Sequence, residues 1–112
     1  MNYTSNVNDG VLTIDFSGDL IGENNGPEII EVVNDVISKE IKKAIVDISD
    51  VRYINSSGIG VLITILTKFR NKGGEMVLVN PSEHVKKLLI ITKLQAIFTI
   101  VNSKEEANDK IK

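Results

Sequence analysis

Three short apolar segments, separated by segments with helical spacing, constrain the fold more than any other feature of the sequence. They are KAIVDISD (residues 43–50), EMVLVN (75–80) and AIFTIV (96–101). Their apolar residues occur at nearly consecutive positions, which is typical of strands that are covered on both faces. A helical connection between two such strands is right-handed and makes them parallel neighbours. The sequence therefore predicts a sheet of parallel strands with helices packed against it.

The beginning of the chain predicts an antiparallel hairpin. Asp9 and Gly10 lie between two alternating segments, YTSNV (3–7) and VLTIDF (11–16). Asp-Gly in this position is a strong signal for a tight hairpin turn. With the hairpin included, the predicted order is β-β-α-β-α-β-α-β-α. We expect a single α/β domain over residues 1–112, with a mixed sheet and about four helices.

Glycine, proline and serine positions predict the helix boundaries. Residues 18–26 are rich in glycine and asparagine and predict a loop, with Pro27 in the first turn of the first helix. Gly73-Gly74 supply a left-handed stop for the second helix. Ser103 and Glu106 have the spacing of a capping box for the last helix. The inward-facing residues of the second and third helices are expected to be Ile59, Leu62, Ile65, Leu66, Phe69, Val85, Leu88, Leu89 and Ile91.

Composition excludes several classes of function. The 13 basic and 15 acidic residues are mixed along the chain and aromatic residues are few, so no nucleic-acid-binding surface is expected. The absence of cysteine excludes disulfides, thiolate zinc sites and thiol catalysis. The N-terminus does not resemble a signal peptide, and the longest apolar stretch is shorter than the about 20 residues that a membrane span needs. We expect a cytoplasmic protein without membrane insertion.

Two adjacent serines form the main candidate site. Ser56 and Ser57 follow a predicted strand and begin a predicted helix, which places them at the carboxyl edge of the sheet. A helix start offers unpaired N–H groups and a partial positive charge. Either serine could cap the helix, a contribution of about 1 kcal/mol. Gly58 and Gly60 then indicate either close backbone packing or a bare helix start that another molecule can approach.

Enzyme chemistry is poorly supported by these residues. A nucleophile elbow needs glycine two positions before the serine, and neither serine has it. The single histidine, His84, lies near the start of another predicted helix, so it is expected to be a surface residue. Gly58-x-Gly60 begins a dinucleotide fingerprint, but Ile63 occupies the third glycine position. We therefore predict no catalytic residue, no cofactor and no small-molecule ligand.

Carboxylates near the loops do not predict a metal site either. Asp15, Asp19 and Glu23 lack the spacing of a calcium loop. Asp47 lies close to the serines and could line a site, but it is more consistent with a hydrogen bond to nearby backbone.

The segment from Asp47 to Ile100, which begins with DISDVRYINSSGIGVLITIL (47–66), resembles the STAS domain, the sulphate-transporter and anti-sigma-factor-antagonist family. The core of the motif is NSSGIGVL (55–62), and it is supported by Gly73-Gly74-Glu75, by Asn80-Pro81 after a strand and by VKKLL (85–89). The similarity spans nearly the whole chain.

The resemblance implies a function that the residue types and their spacing do not indicate by themselves. Anti-sigma-factor antagonists bind an anti-sigma factor, often itself a serine kinase, and so release a sigma factor and regulate transcription. The kinase phosphorylates the antagonist and the complex dissociates. Ser56 aligns with the phosphorylated serine of the family, and Ser57 is the second candidate. A phosphate would add about −1.5 to −2 charges at a helix start, where free amides tolerate it.

The implied partner-binding residues surround the serines and the loop after the second strand. They are Asn55, Ser57, Gly58, Ile59, Gly60, Ile21 and Gly22. Many family members have Asp before the phosphorylated serine, whereas this chain has Asn55, and Ile21 replaces an Asp that is common in the loop. Two alternatives remain: an unphosphorylated STAS scaffold or regulatory subunit of a transporter or signalling complex, and a small enzyme or nucleotide-binding protein.

Overall fold

Five strands form one mixed sheet. The computed structural model describes residues 2–111, apart from the side chains of residues 23 and 24. The strands are β1 (Asn2–Asn8), β2 (Val11–Leu20), β3 (Lys43–Ile54), β4 (Glu75–Val79) and β5 (Thr99–Val101), and they lie side by side in chain order. β1 pairs antiparallel with β2, and every other pair is parallel. The predicted mixed α/β architecture is confirmed.

Within residues 2–111, four helices cover the two faces of the sheet unequally. They are α1 (Gly22–Ser38), α2 (Ser56–Asn71), α3 (Glu83–Ile91) and α4 (Lys104–Ile111), with a short 3₁₀ turn at Leu94–Ala96. The main core joins α1, α2 and α3 to one face of the sheet. The alternate strand residues point to the other face, where they form a smaller cluster with α4. This smaller cluster contains Ile45, Val77, Val79, Val101, Ala107 and Ile111.

The hairpin turn follows the sequence prediction. Asp9 and Gly10 have φ angles of 53° and 78°, so both central residues adopt the left-handed conformation of a two-residue hairpin turn. Pairing between β1 and β2 then runs without a register shift from Asn8 opposite Val11 to Asn2 opposite Ser17.

Two strands differ in length from their prediction. β3 does not end near residue 50 but continues to Ile54, because β2 continues beside it and because Val51 and Ile54 are buried. The pairing of β2 with β3 has register irregularities between Asp15 and Ser17 and between Gly18 and Asp19. β5 is shorter than predicted, since the chain first forms the 3₁₀ turn at Leu94–Ala96.

The predicted start of α1 was wrong. The helix begins at Gly22, so the predicted loop is largely helical and Pro27 lies inside the helix rather than in its first turn. Pro27 removes one intrahelical hydrogen bond, but contacts between the first turn of α1 and the first turn of α2 outweigh this local signal. The predictions for the side chains of residues 23 and 24 lie outside the described part of the chain.

The ends of α2 and α3 follow the prediction with two exceptions. Gly73 has a φ of 75° and stops α2 as expected, whereas Gly74 has another role, because a Cβ there would overlap the Lys42 carbonyl. Ser82 caps α3 through the Val85 amide. Ile91 was expected to face inward, but it is 77% exposed at the end of the helix.

Polar contacts join α4 to the sheet. The Lys104 ammonium lies 2.8 Å from an Asp15 oxygen and 3.8 Å from an Asp47 oxygen, and the hydrogen bond to Asp15 raises the pKa of Lys104. Asp47 also accepts hydrogen bonds from the backbone amide and hydroxyl of Ser49, which confirms the expected bond to nearby backbone.

A second polar contact joins β1 to α1. The Tyr3 hydroxyl donates a hydrogen bond to Glu28, and this bond raises the pKa of Tyr3 to about 12.

Candidate functional site

The site lies where β2 and β3 end together and α1 and α2 begin. Leu20 and Ile54 are partners in the sheet, and the Asn55 amide donates to the Leu20 carbonyl at 3.3 Å. Two chain segments therefore leave the same edge of the sheet side by side. One leads through Ile21 into α1, and the other leads through Asn55 into α2.

Asn55 caps α2. Its backbone is extended, and its side-chain Oδ1 accepts a hydrogen bond from the Gly58 amide at 2.8 Å. The prediction that Ser56 or Ser57 caps the helix was therefore wrong. Asparagine is among the best capping residues, and here it occupies the position one residue earlier. Asn55 thus provides a cap without the negative charge that an aspartate would add.

Ser57 connects the two helix starts. Its hydroxyl donates to Asn55 Oδ1 at 2.9 Å and accepts from the Gly22 amide at 3.0 Å. The Gly22 amide belongs to the first turn of α1, where amides have no partner within the helix. Ser57 therefore satisfies an amide of one helix while it holds the cap of the other, and its half-buried side chain is engaged in the structure of the site.

Ser56 is the first residue of α2 and is exposed to solvent. Among residues 2–111, no hydrogen bond engages its hydroxyl, in contrast to the engaged hydroxyl of Ser57. The first turn of α2 contains no acidic residue, so the partial positive charge of the helix start is not neutralised there. The hydroxyl is accessible in a position that accommodates an anion.

The glycines of the motif have different roles. A Cβ on Gly58 would overlap the Leu20 carbonyl and lie 2.9 Å from Ile54 Cγ1, so Gly58 allows α2 to approach the sheet. A Cβ on Gly22 would overlap the Ser57 carbonyl in the same way. A Cβ on Gly60 would meet no atom within 4 Å. The packing interpretation therefore applies to Gly58, and only Gly60 leaves the helix surface bare. Ile59 is half-buried against the main core.

An open groove of about 610 Å³ runs between α1 and α2. Its α1 side consists of Gly22, Gly26, Pro27 and Ile30, and its α2 side consists of Ser57, Gly60, Val61 and Thr64. None of these residues is charged. Ser57 lines the groove, and the exposed Ser56 is its neighbour in the chain.

The remaining chemical candidates do not converge on the serines. His84 is exposed and stacks on Tyr53 with ring centroids 6.3 Å apart. Asp19 pairs with Arg52 at 3.6 Å, and Asp15 pairs with Lys104. Over the described residues, no three His, Cys, Asp or Glu side chains are grouped so that they could hold a metal ion. Nor does the described chain contain a helix long and apolar enough to cross a membrane.

Comparison with known proteins identifies the family. The STAS domain model matches residues 2–107, and the chain belongs to this family. A curated protein of Thermotoga neapolitana, provisionally named anti-sigma factor antagonist TM1081 homologue, is 34% identical over 80 residues, 71% of each chain. The crystal structure of TM1081 from Thermotoga maritima has a TM-score of 0.87 at 29% identity and covers 97% of this chain and 93% of its own.

A more distant structure shares the fold. The Bacillus cell fate determinant SpoIIAA in its phosphorylated form has a TM-score of 0.77 at 19% identity, and the match covers 99% of this chain and 100% of that one. The predicted family and fold are thus confirmed, and the curated relatives with similar sequences are named anti-sigma factor antagonists.

The sequence grouped two loop residues with the serine motif, but it did not predict how these segments are connected. Ile21 and Gly22 lie beside Asn55 and Ser57, as the partner-binding prediction assumed. The bond between Ser57 and Gly22 was not foreseen. One signal was available: Gly22 and Gly26 are four residues apart, a spacing that lets helices approach closely, and a Cβ on Gly26 would lie 3.2 Å from Val61 Cγ2.

The two motif glycines provide a matched pair of variants. We expect Gly58→Ala to reduce the free energy of unfolding by about 1–3 kcal/mol, because the new methyl overlaps the backbone of Leu20. We expect Gly60→Ala to raise it by about 0.5–1 kcal/mol, since the site is open and alanine favours a helix. Urea denaturation measures both. Equal effects of the two substitutions would contradict the different roles given to these glycines.

Proposed function

We propose that this chain is a cytoplasmic anti-sigma-factor antagonist whose binding to an anti-sigma factor is switched off by phosphorylation of Ser56. The observation that carries the proposal is the exposed Ser56 hydroxyl at the first residue of α2, directly beside the junction of two helix starts. The partner is an anti-sigma factor that is also a serine kinase. Its capture by the unmodified chain releases a sigma factor and thereby activates transcription.

The fold should tolerate a phosphate on Ser56. The group carries about −1.5 to −2 charges at neutral pH, and the helix start favours a negative charge. No acidic side chain occupies the first turn of α2. The cap does not depend on Ser56 either, since Asn55 and Ser57 make the hydrogen bonds that hold the junction.

The same phosphate should be incompatible with partner binding. The proposed contact surface consists of Ile21, Gly22, Asn55, Ser57, Gly58, Ile59 and Gly60, none of which is charged. The uncharged groove between α1 and α2 continues from this surface. A partner that closes over these residues would have to desolvate the phosphate, which costs several kcal/mol unless a cation is in place. Each 1.4 kcal/mol of that cost lowers affinity about tenfold.

A protein with the same fold is a precedent for the modification. SpoIIAA, which shares the fold, has been solved in both unphosphorylated and phosphorylated forms. Both forms match this chain with a TM-score of 0.77, which is consistent with a modification that changes a surface and leaves the architecture in place.

Peptide mass spectrometry after incubation with ATP and a serine-kinase anti-sigma factor from the same genome tests the modification site. We expect one phosphate, on Ser56, because its hydroxyl is exposed while that of Ser57 is engaged with Asn55 and Gly22. Ser56→Ala should abolish incorporation. Phosphate on Ser57 alone would refute the assignment, and no incorporation with any such kinase would favour the alternative of an unphosphorylated STAS scaffold or transporter subunit.

Binding to the same anti-sigma factor, measured by isothermal titration calorimetry, tests the switch. Ser56→Asp should weaken binding at least about tenfold, while the urea midpoint changes little. Asn108→Asp is the matched control, since it adds the same charge on exposed α4, on the opposite side of the sheet. It should bind like the unmodified chain. If Ser56→Asp and Asn108→Asp bind the anti-sigma factor with equal affinity, a negative charge at position 56 does not control binding.

A further inference from the structure

β1 is an uncovered edge of the sheet. It is the first strand in the order β1-β2-β3-β4-β5, so one of its two sides has no neighbouring strand. It is seven residues long and pairs with β2 along its whole length without a register shift. The opposite edge, β5, has only three residues. Of the two edges, β1 is therefore the one that offers a long, regular ladder of backbone groups.

The β1 sequence lacks the features that usually protect such an edge. Proteins block edge strands with lysine or other charges, with proline, or with bulges. The strand reads NYTSNVN and contains no ionisable charge at neutral pH and no proline, and its pairing with β2 contains no bulge. Val7 on this strand is 47% exposed. These properties suit a strand that pairs with another strand.

The turn determines which β1 residues have free backbone groups. In a hairpin with a two-residue turn, the residues that flank the turn, Asn8 and Val11, form a hydrogen-bonded pair. Hydrogen-bonded and non-hydrogen-bonded pairs then alternate along the ladder. The N–H and C=O groups of Tyr3, Ser5 and Val7 therefore point away from β2, toward solvent.

We propose that β1 pairs antiparallel with β1 of a second copy of this chain, about a two-fold axis at Ser5. Ser5 then lies opposite Ser5 of the partner subunit, and Tyr3 lies opposite Val7 of the partner subunit. The three hydrogen-bonded pairs exchange two bonds each, so all the outward-pointing groups of these residues are satisfied. The two five-stranded sheets become one continuous sheet.

The side chains across this axis are self-complementary. Tyr3 opposite Val7 of the partner subunit is an aromatic and β-branched pair, which stabilises antiparallel strands, and it covers the exposed Val7. The Tyr3 ring is already positioned, since its hydroxyl is bonded to Glu28 and it lies 6.2 Å from the Phe16 ring. On the other face, Thr4 lies opposite Asn6 of the partner subunit, so no like charges meet.

The register is also specified. A slip by two residues leaves only two hydrogen-bonded pairs among the described residues and removes Tyr3 from its position opposite Val7. A second copy fits this edge better than an unrelated charged peptide, because the strand offers no charge that could select one. The surface is separate from the proposed switch, since none of the proposed partner-binding residues lies on β1.

Sedimentation equilibrium of the full chain over a range of concentrations tests the proposal. The weight-average mass should rise from 12.3 kDa toward twice that value as concentration increases. Ser5→Pro removes an N–H that points outward and spares the pairing with β2, so the monomer should stay folded while dimerisation weakens at least about tenfold. Ser5→Lys places two like charges opposite each other and should act in the same direction.

Gln95→Lys, which adds one lysine at an exposed position outside the sheet, should dimerise like the unmodified chain. A chain that stays at 12.3 kDa at its highest soluble concentration would refute the proposal. So would a dimer whose affinity is the same in Ser5→Lys as in Gln95→Lys.

Discussion

The Ser57 hydroxyl joins the starts of α1 and α2, and the arrangement of the site depends on this contact. It accepts the Gly22 amide and donates to Asn55 Oδ1, which in turn caps α2 through the Gly58 amide. The two helices can begin at the same edge of the sheet because Gly22 and Gly58 have no side chains to separate the backbones. The junction therefore satisfies one amide of each helix start with side chains of one short segment.

Two adjacent serines have different roles in this arrangement. Ser57 points into the junction and is part of the structure, whereas Ser56 points outward and is dispensable for it. This difference would allow a phosphate on Ser56 without loss of the fold. It also gives Asn55 a clear role: an amide at this position keeps the cap and leaves the first turn without a negative charge, so that a phosphate would be the first anion there.

The architecture was predictable because each element carried its own periodicity. The structure follows three local signals. They are the Asp9-Gly10 turn, the nearly continuous apolar segments of the strands and the apolar residues at helical spacing in α2, which include Leu62 and Phe69. The start of α1 was not predictable from local signals, since glycine, asparagine and proline normally indicate a loop. There the Gly22 amide is bonded to the Ser57 hydroxyl, 35 residues away, a contact that local sequence patterns do not reveal. The prediction that Ser56 lies at the start of a helix was correct. The capping residue is Asn55, one position earlier than the predicted serines, and the periodicity of apolar residues does not resolve a difference of one residue.

A dianion on Ser56 should change the surface of the domain and leave the junction intact. Amide ¹H–¹⁵N correlation spectra of the unmodified and the Ser56-phosphorylated chain test this expectation. We expect shift changes confined to residues 20–22 and 55–60, with the amide resonances of β4 and α4 unchanged. Changes that extend through β4 and α4 would show that the phosphate disrupts the packing of the helix starts and that the junction does not stay intact.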